Sequence, residues 1–306
     1  RGLSCTILVH ANLLDYPRLK RVPVETVHNS IEARDVIATV SPFLLLIGTS
    51  ENPDSLGLKL VTEARALGIE SIGVIDAFAN ADYRFRGYTD DPLRWAPDWL
   101  LVPDKLTQDV YIQLGYHQEQ IIICRNPHFD HVRSAANQLN CQDRNTLRDR
   151  LFPGLSDDKK VVVFAAEVST GLNPDQFQYS ADYTLTGRGT STGRTEIVIE
   201  AFLDTLSSAS IDPYLVLRLH PKNTRLEYED YLDEFDKVSE GGSPLEEIYA
   251  ADLVVGMTSV LLVEAALMGT STLSIVPRDS EKSWLPDSIW GVTPIATKTT
   301  EIKEHL

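Results

Sequence analysis

The stretch ADLVVGMTSVLLVEAALMGTSTLSIV, from Ala251 to Val276, places two short apolar runs on either side of a longer apolar segment. The flanking runs, LVVGM (Leu253–Met257) and STLSIV (Ser271–Val276), contain several β-branched residues, which is typical of strands. The central segment stops at Gly269, a residue type that commonly ends a helix. The stretch therefore predicts two parallel strands joined by a helix.

The same alternation of apolar runs and amphipathic segments extends along the chain. The other predicted strands are TILVH (Thr6–His10), LLLIG (Leu44–Gly48), SIGVID (Ser71–Asp76), WLLVP (Trp99–Pro103), IIIC (Ile121–Cys124), VVVFAA (Val161–Ala166) and YLVLRLH (Tyr214–His220). Helices are predicted between them over residues 54–68, 105–115, 195–208 and 243–250. This order is typical of α/β proteins with doubly wound parallel sheets.

The alternation is interrupted once, by the polar and charged segment Cys141–Lys160, which contains Pro153 and Gly154. A chain of 306 residues usually forms about two domains. We therefore expect an N-terminal Rossmann-like domain over residues 1–150 and a C-terminal one over residues 151–306, facing a cleft. Ligands of such sheets bind at the carboxyl ends of the strands, so the residues that follow each strand are the candidates for function.

The net charge of −16 argues against nucleic acid as the main partner, because phosphate backbones are bound by clustered Lys and Arg side chains. It leaves room for a small anionic ligand in a local basic pocket. The three cysteines are widely spaced and suit a reducing compartment. The apolar run near Phe43–Ile47 is too short to span a bilayer and no signal-peptide pattern is visible, so the expectation is a soluble, cytoplasmic protein.

The strand that contains LVLRL ends in His220 and Pro221, with further cationic groups at Arg218 and Lys222. Proline fixes the direction of the chain and removes a backbone donor. The imidazole would then be held at the strand end, where it can donate to a phosphate or a ribose. These four residues are predicted to bind a nucleotide, and His220 is also a candidate catalytic residue.

Two hydroxyl residues, Thr258 and Ser259, follow the strand Leu253–Met257 and open the next helix. Hydroxyls and free helix N–H groups together favour a phosphate, although ordinary helix capping also selects Ser and Thr. Glu264 lies in the apolar helix that follows, where an unpaired carboxylate is costly. It is predicted either to bond a ribose or to pair with a buried cation.

A glycine-, serine- and threonine-rich segment, TGRGTSTGRTE (Thr186–Glu196), leads into another predicted helix. Its backbone N–H groups, around Gly189 and Thr190, would favour an anion. The spacing lacks the Gly-Lys-Ser/Thr ending of a Walker phosphate loop, and a loop that binds no ligand is the alternative.

Asp76 ends the predicted strand Ser71–Asp76 and is a candidate general base. The alternative is that it caps a turn or pairs with Arg84 or Arg86. His128 and His131 have i, i+3 spacing, but nothing nearby completes a ligand set, so no metal site is predicted.

The segment Ala251–Val276, together with the preceding GGSPLEEIYA, resembles the nucleotide-binding domain of GT-B glycosyltransferases and their relatives. The segment Pro97–Asp130 is similar to the last strand, helix and strand of their N-terminal domain. A complete N-terminal domain of this type opens with a strand and a Gly-rich turn, which nothing before Thr6 supplies. Either that first unit is missing from this chain, or TILVHANLL (Thr6–Leu14) replaces it.

Within that group, His220-Pro221 and Thr258-Ser259 are similar to the HP and Ser/Thr motifs of bacterial sialyltransferases, Kdo transferases and glycerophosphotransferases, which use cytidine nucleotides. The resemblance implies that the first pair holds the nucleotide and the second its phosphate. It also implies a general base, for which Asp76 is the nearest match, although IDAF stands here in place of two acidic residues and a glycine.

The chain is also similar to UDP-GlcNAc 2-epimerases, which share the EA…G helix region. Their catalytic His-Arg segment is replaced here by AAEVSTG (Ala165–Gly171).

The resemblances lead to three hypotheses. The first is a metal-independent glycosyltransferase of bacterial polysaccharide or surface-glycan biosynthesis. It would use a nucleotide sugar as donor, a glycan or lipid-linked acceptor and no cofactor, and peripheral membrane association is compatible with it. The second is a nucleotide-sugar epimerase or hydrolase, and the third is a GT-B-like module that binds without turnover.

Overall fold

A computed structural model describes residues 4–11, 23–28, 30–168, 177–285 and 291–306. The chain divides into two compact units, residues 1–126 and 127–306. None of the helices in these ranges is long and apolar enough to cross a membrane.

The first unit contains two parallel sheets. Leu8–His10 (β1) pairs with Glu25–Val27 (β2), and helix α1 (Ser30–Val40) follows. The larger sheet has four strands in sequence order: Leu44–Gly48 (β3), Glu70–Val74 (β4), Trp99–Val102 (β5) and Ile121–Ile123 (β6). Helix α2 (Leu56–Ala66) connects β3 to β4, and helix α3 (Lys105–Gln113) connects β5 to β6.

The second unit begins with two helices, α4 (Pro127–Leu139) and α5 (Arg144–Leu151). The remaining elements, in chain order, are β7 (Val161–Ala165), α6 (Arg194–Ser208), β8 (Tyr214–Arg218), β9 (Lys237–Ser239), α7 (Leu245–Ala250), β10 (Leu253–Gly256), α8 (Val260–Leu267), β11 (Ser271–Ile275), β12 (Ile295–Ala296) and α9 (Thr299–His305). The six strands form one parallel sheet in the order β12-β11-β10-β7-β8-β9.

This strand order reverses direction at one place. From β7 the chain adds β8 and β9 on one side, and it then returns to add β10, β11 and β12 on the other. The reversal point lies between β7 and β10, and ligands of open α/β sheets bind at such a point, outside the carboxyl ends of the strands.

The second sheet is covered on both faces. One face packs against side chains of α6 and α9, including Phe202 and Ile302, and the other against side chains of α4 and α8, including Val132 and Leu262. Every residue of β7 and β8 is buried, as expected for central strands of a parallel sheet.

The predicted fold class is confirmed: both units are α/β with parallel sheets, and each strand predicted from the sequence corresponds to an observed strand. The short strands β2, β9 and β12 were not predicted, because two or three residues carry too little periodicity. Of the segment Thr6–Leu14, only residues 6–11 are described, and they include β1.

The division between the units differs from the predicted one near residue 150. It falls between Asn126 and Pro127, because α4 packs against α7 and α8, and α5 packs against α7. The amphipathic pattern of α4, with Val132, Ala136 and Leu139 on its buried side, is present in the sequence, but no helix was predicted over it.

Candidate nucleotide site

Three residues follow adjacent strands of the second sheet: Glu167 after β7, His220 after β8 and Thr258 after β10. The last paired residues of β7 and β8 are Ala165 and Arg218, and Glu167 and His220 each follow that pair by two residues. On the other side the last paired residues of β7 and β10 are Phe164 and Val255, and Thr258, which follows β10, contacts Glu167 directly. Glu167 therefore lies at the reversal point between His220 and Thr258.

The carboxylate of Glu167 binds the start of the helix that follows β10. Thr258 donates its backbone N–H to Oε1 at 2.5 Å and its hydroxyl to Oε2 at 3.0 Å. Arg194 donates from Nη1 to the same Oε2, also at 3.0 Å. Tyr228 donates its hydroxyl to the backbone carbonyl of Glu167 at 3.0 Å. Three donors from two residues, Thr258 and Arg194, thus hold the side chain, and the sequence had assigned no role to it.

Arg194 belongs to a buried ion network at the start of α6. The residue is 1% exposed, and its Nε and Nη2 both donate to Oε2 of the fully buried Glu281. Arg278 donates from Nε to the other oxygen of Glu281 at 2.7 Å. Burial alone would lower the pKa of Arg194, but the carboxylates of Glu167 and Glu281 outweigh it and raise the pKa, so the guanidinium stays charged.

His220 is held as a neutral imidazole. The backbone N–H of Lys222 donates to its Nδ1 at 3.1 Å, so the ring proton is on Nε2 and that N–H is a donor. Burial, and then the charge of Lys222, lower the pKa of His220 below its ordinary value of 6.5, whereas Glu167 acts in the opposite direction. Pro221 and Lys222 are both exposed at the same turn.

Helix α8 presents its N-terminal end at the same edge. Ser259 is the N-cap residue, and its side chain accepts from the backbone N–H of Leu261 at 3.2 Å. Glu264, one turn further on, is 6% exposed, and its Oε1 lies 2.6 Å from Nε2 of His128 in α4. The sequence predicted either a ribose contact or a buried cation as the partner of Glu264. The observed partner is a histidine, and the ribose contact stays a prediction.

Arg218, predicted to contact a phosphate, is 9% exposed and is engaged within the fold. Its Nη1 donates to the hydroxyl of Ser239 at 2.8 Å, and its Nη2 to the carbonyls of Gly241 and Gly242 at 2.6 and 3.2 Å. Its guanidinium therefore holds the turn after β9, and a phosphate would have to replace these contacts.

The Gly/Ser/Thr-rich loop binds a carboxylate of the protein itself. Glu200, 2% exposed on α6, accepts from the backbone N–H of Arg188 at 2.6 Å and from the hydroxyls of Ser191 and Tyr231 at 2.5 and 2.8 Å. The predicted contacts Gly189 and Thr190 are exposed, and the N–H of Gly189 donates within the loop to the carbonyl of Thr186. The loop has the donors expected for an anion, and Glu200 supplies that anion.

Asp76 follows β4 in the first unit. Its carboxylate is 74% exposed and lies 2.8 Å from Nη1 of the buried Arg84, which also donates to Thr49. The pairing with Arg84 is one of the alternatives raised from the sequence. The role of Asp76 as a base stays a prediction, as does its relation to His220, which lies in the other unit.

Within the described ranges, no group of three or more His, Cys, Asp or Glu side chains could hold a metal ion. Of the two histidines that resemble ligands in the sequence, His128 contacts Glu264.

The fold is similar to that of solved UDP-GlcNAc 2-epimerases. The enzyme from Methanocaldococcus jannaschii is 11% identical, with a TM-score of 0.65, over 100% of this chain and 84% of that chain. The Neisseria meningitidis enzyme, solved with UDP-GlcNAc bound, is 13% identical, with a TM-score of 0.61, over 90% of this chain and 70% of that chain. Neither a protein-family model nor a curated protein matches the sequence. The similarity establishes the fold, two Rossmann-like α/β domains of the GT-B type.

Proposed function

We propose that the chain is a nucleotide-sugar-dependent glycosyltransferase that binds its donor at the carboxyl edge of the second sheet. The observation that supports this best is the state of His220, a neutral Nε2–H donor at a strand end beside the reversal point of the sheet. The enzyme would transfer the sugar from this donor to a glycan or lipid-linked acceptor in polysaccharide or surface-glycan biosynthesis.

The groups around His220 suit the parts of a nucleotide. The Nε2–H and the exposed Lys222 can donate to a phosphate, and Pro221 fixes the direction in which the chain leaves the strand. Ser259 and the N-terminus of α8 add a hydroxyl and a positive helix end. Glu264 is a buried acceptor one turn further on, which suits ribose hydroxyls.

These donors would stabilise the phosphate as it leaves the sugar, and the proposed reaction assigns no step to a metal ion. A base must take the proton of the attacking acceptor hydroxyl. Asp76, exposed at the end of β4 and oriented by Arg84, is the candidate for this role.

A second candidate, an epimerase or hydrolase of nucleotide sugars, is favoured by the similarity to UDP-GlcNAc 2-epimerases over the whole chain. It predicts turnover of the donor without an acceptor. A third, a module that binds without turnover, is favoured by Glu167, whose carboxylate already uses the donors of Thr258.

The test is thermal unfolding of wild type, His220→Ala and His117→Ala with CMP, CDP, UMP, UDP and GDP. A ligand at 100 times its Kd adds about 2.7 kcal/mol to the free energy of unfolding. We expect stabilisation by a cytidine or uridine nucleotide that His220→Ala loses and His117→Ala, a change at an exposed histidine of the first unit, retains. Absence of stabilisation by all five nucleotides would refute the proposal.

Where a nucleotide binds, its sugar derivative is then incubated with and without acceptor. Release of the nucleotide only with acceptor indicates transfer, and conversion without acceptor indicates the second candidate. Binding with no conversion indicates the third.

A further inference from the structure

We propose that Glu167 determines which nucleotides this site accepts, by excluding a second phosphate and so selecting nucleoside monophosphates over diphosphates. The inference rests on the proposed nucleotide site and names the class of donor that this site would take. It follows from the position of Glu167 between the two groups of phosphate donors, and from the contacts that hold it there.

Strands of a sheet are about 4.8 Å apart, so His220 and Thr258, on either side of Glu167, are about two strand spacings apart. A phosphate bound at Nε2–H of His220 lies on one side of Glu167. A second phosphate that extends toward Thr258 and the N-terminus of α8 would approach the carboxylate.

The N–H and hydroxyl of Thr258, which are the groups that a phosphate would use at this helix end, both donate to Glu167. Arg194 holds the same carboxylate from the opposite side. Because three donors fix it, Glu167 acts as a built-in anion at the place of the second phosphate.

Among the described residues, the carboxylates of Glu167 and Glu281 pair with the guanidiniums of Arg194 and Arg278, so two negative groups already face two positive groups without a ligand. A second phosphate on the Thr258 side would add negative charge beside Glu167, where the two guanidiniums of this network are already paired with carboxylates. Replacing Glu167 by glutamine removes one negative charge from the balanced set, leaves the network with an excess positive charge and weakens the competition for the donors of Thr258.

The experiment is calorimetric titration of wild type, Glu167→Gln and Glu167→Ala with CMP, CDP, UMP and UDP. Glu246→Gln serves as the control, because Glu246, on α7, forms an exposed ion pair with Arg150 on α5 and the change removes the same charge. We expect wild type and the control to bind the monophosphate at least as tightly as the diphosphate. In both Glu167 variants the ratio of the two Kd values should shift at least tenfold toward the diphosphate, which corresponds to about 1.4 kcal/mol.

The ratio of two Kd values measured on one variant does not depend on the fraction of protein that is folded, so a destabilised variant still gives an answer. If nucleotides bind wild type but the ratio changes less than threefold in both variants, the selectivity proposal is wrong and the nucleotide site stands. If a nucleotide diphosphate binds wild type more tightly than its monophosphate, the selectivity proposal is also wrong. If no nucleotide binds any of the four proteins, both proposals fail.

Discussion

The buried ion network next to the candidate site gives the sharpest test of how the second unit, residues 127–306, is stabilised. Glu281 is fully buried and accepts from Nε and Nη2 of Arg194 and from Nε of Arg278. Replacing it by glutamine keeps the shape of the side chain and removes its charge. The change therefore creates no cavity, and its effect on stability reports the electrostatics of the two guanidiniums.

The magnitude follows from the burial of the partners. Arg194 is 1% exposed and Arg278 is 9% exposed, so neither can recover its lost partner by moving into water. Removing one member of a buried ion pair typically costs about 3–5 kcal/mol, because the charge that remains is uncompensated. Arg194 keeps Glu167, so we expect a loss near the lower end, about 3 kcal/mol.

The assay is urea unfolding monitored by circular dichroism. The dependence of the unfolding free energy on urea concentration is compared between the variants. Glu246→Gln, which breaks an exposed pair with Arg150, should cost about 0–1 kcal/mol. In a thermal scan, Glu281→Gln should lower the melting temperature of the second unit by roughly 6–12 °C. A loss in Glu281→Gln no larger than that of the control would show that the network is not a main source of stability.

Two further predictions concern single residues of the second unit. Because the pKa of His220 is lowered in the folded chain, the unfolded chain binds more protons as the pH falls through 6.5 toward that lowered pKa, and stability declines over this window. His220→Asn should therefore show a smaller loss of unfolding free energy between pH 7 and pH 5 than wild type, and equal losses would contradict the neutral-imidazole assignment. Gly187 has a φ of +53°, and an added Cβ would lie 2.2 Å from Oε2 of Glu200, so Gly187→Ala should cost about 2 kcal/mol or more in urea unfolding. Gly189→Ala is the control, because its φ is +81° but nothing lies within 4 Å of its Cβ, and equal losses in the two variants would show that the Glu200 contact is unimportant.

The fold was largely predictable because its strands are buried on both faces. Runs such as VVVFA in β7 are apolar at every position, and this pattern is strong even in five residues. The helix ends were also predictable, since Ser55 caps α2 and Gly269, with a φ of +84°, follows α8. The boundary between units was not, because α5 is highly polar and looks like a linker until its contacts with α7 are seen.

Much of the candidate site was predictable from strand ends, since His220 and Thr258 each follow a strong strand. What the sequence did not provide was the order of the strands in the sheet. Glu167 follows β7 just as visibly, but its role depends on β7 lying between β8 and β10, the strands that precede His220 and Thr258. Nor did the sequence indicate that the donors of Arg218 and of the loop at Arg188 are used by groups of the protein.

The contacts of Arg194 connect the stability of the unit with the charge at its edge. One guanidinium binds Glu281 inside the fold and Glu167 at the strand end, so the position of the Glu167 carboxylate is set by the same network that stabilises the start of α6. A ligand that displaced Glu167 would have to break its contacts with Thr258 as well as with Arg194. A ligand whose phosphate stays on the His220 side leaves these contacts in place and therefore costs less free energy to bind. The charge of the ligand, more than its size, should therefore determine which ligands this edge of the sheet accepts.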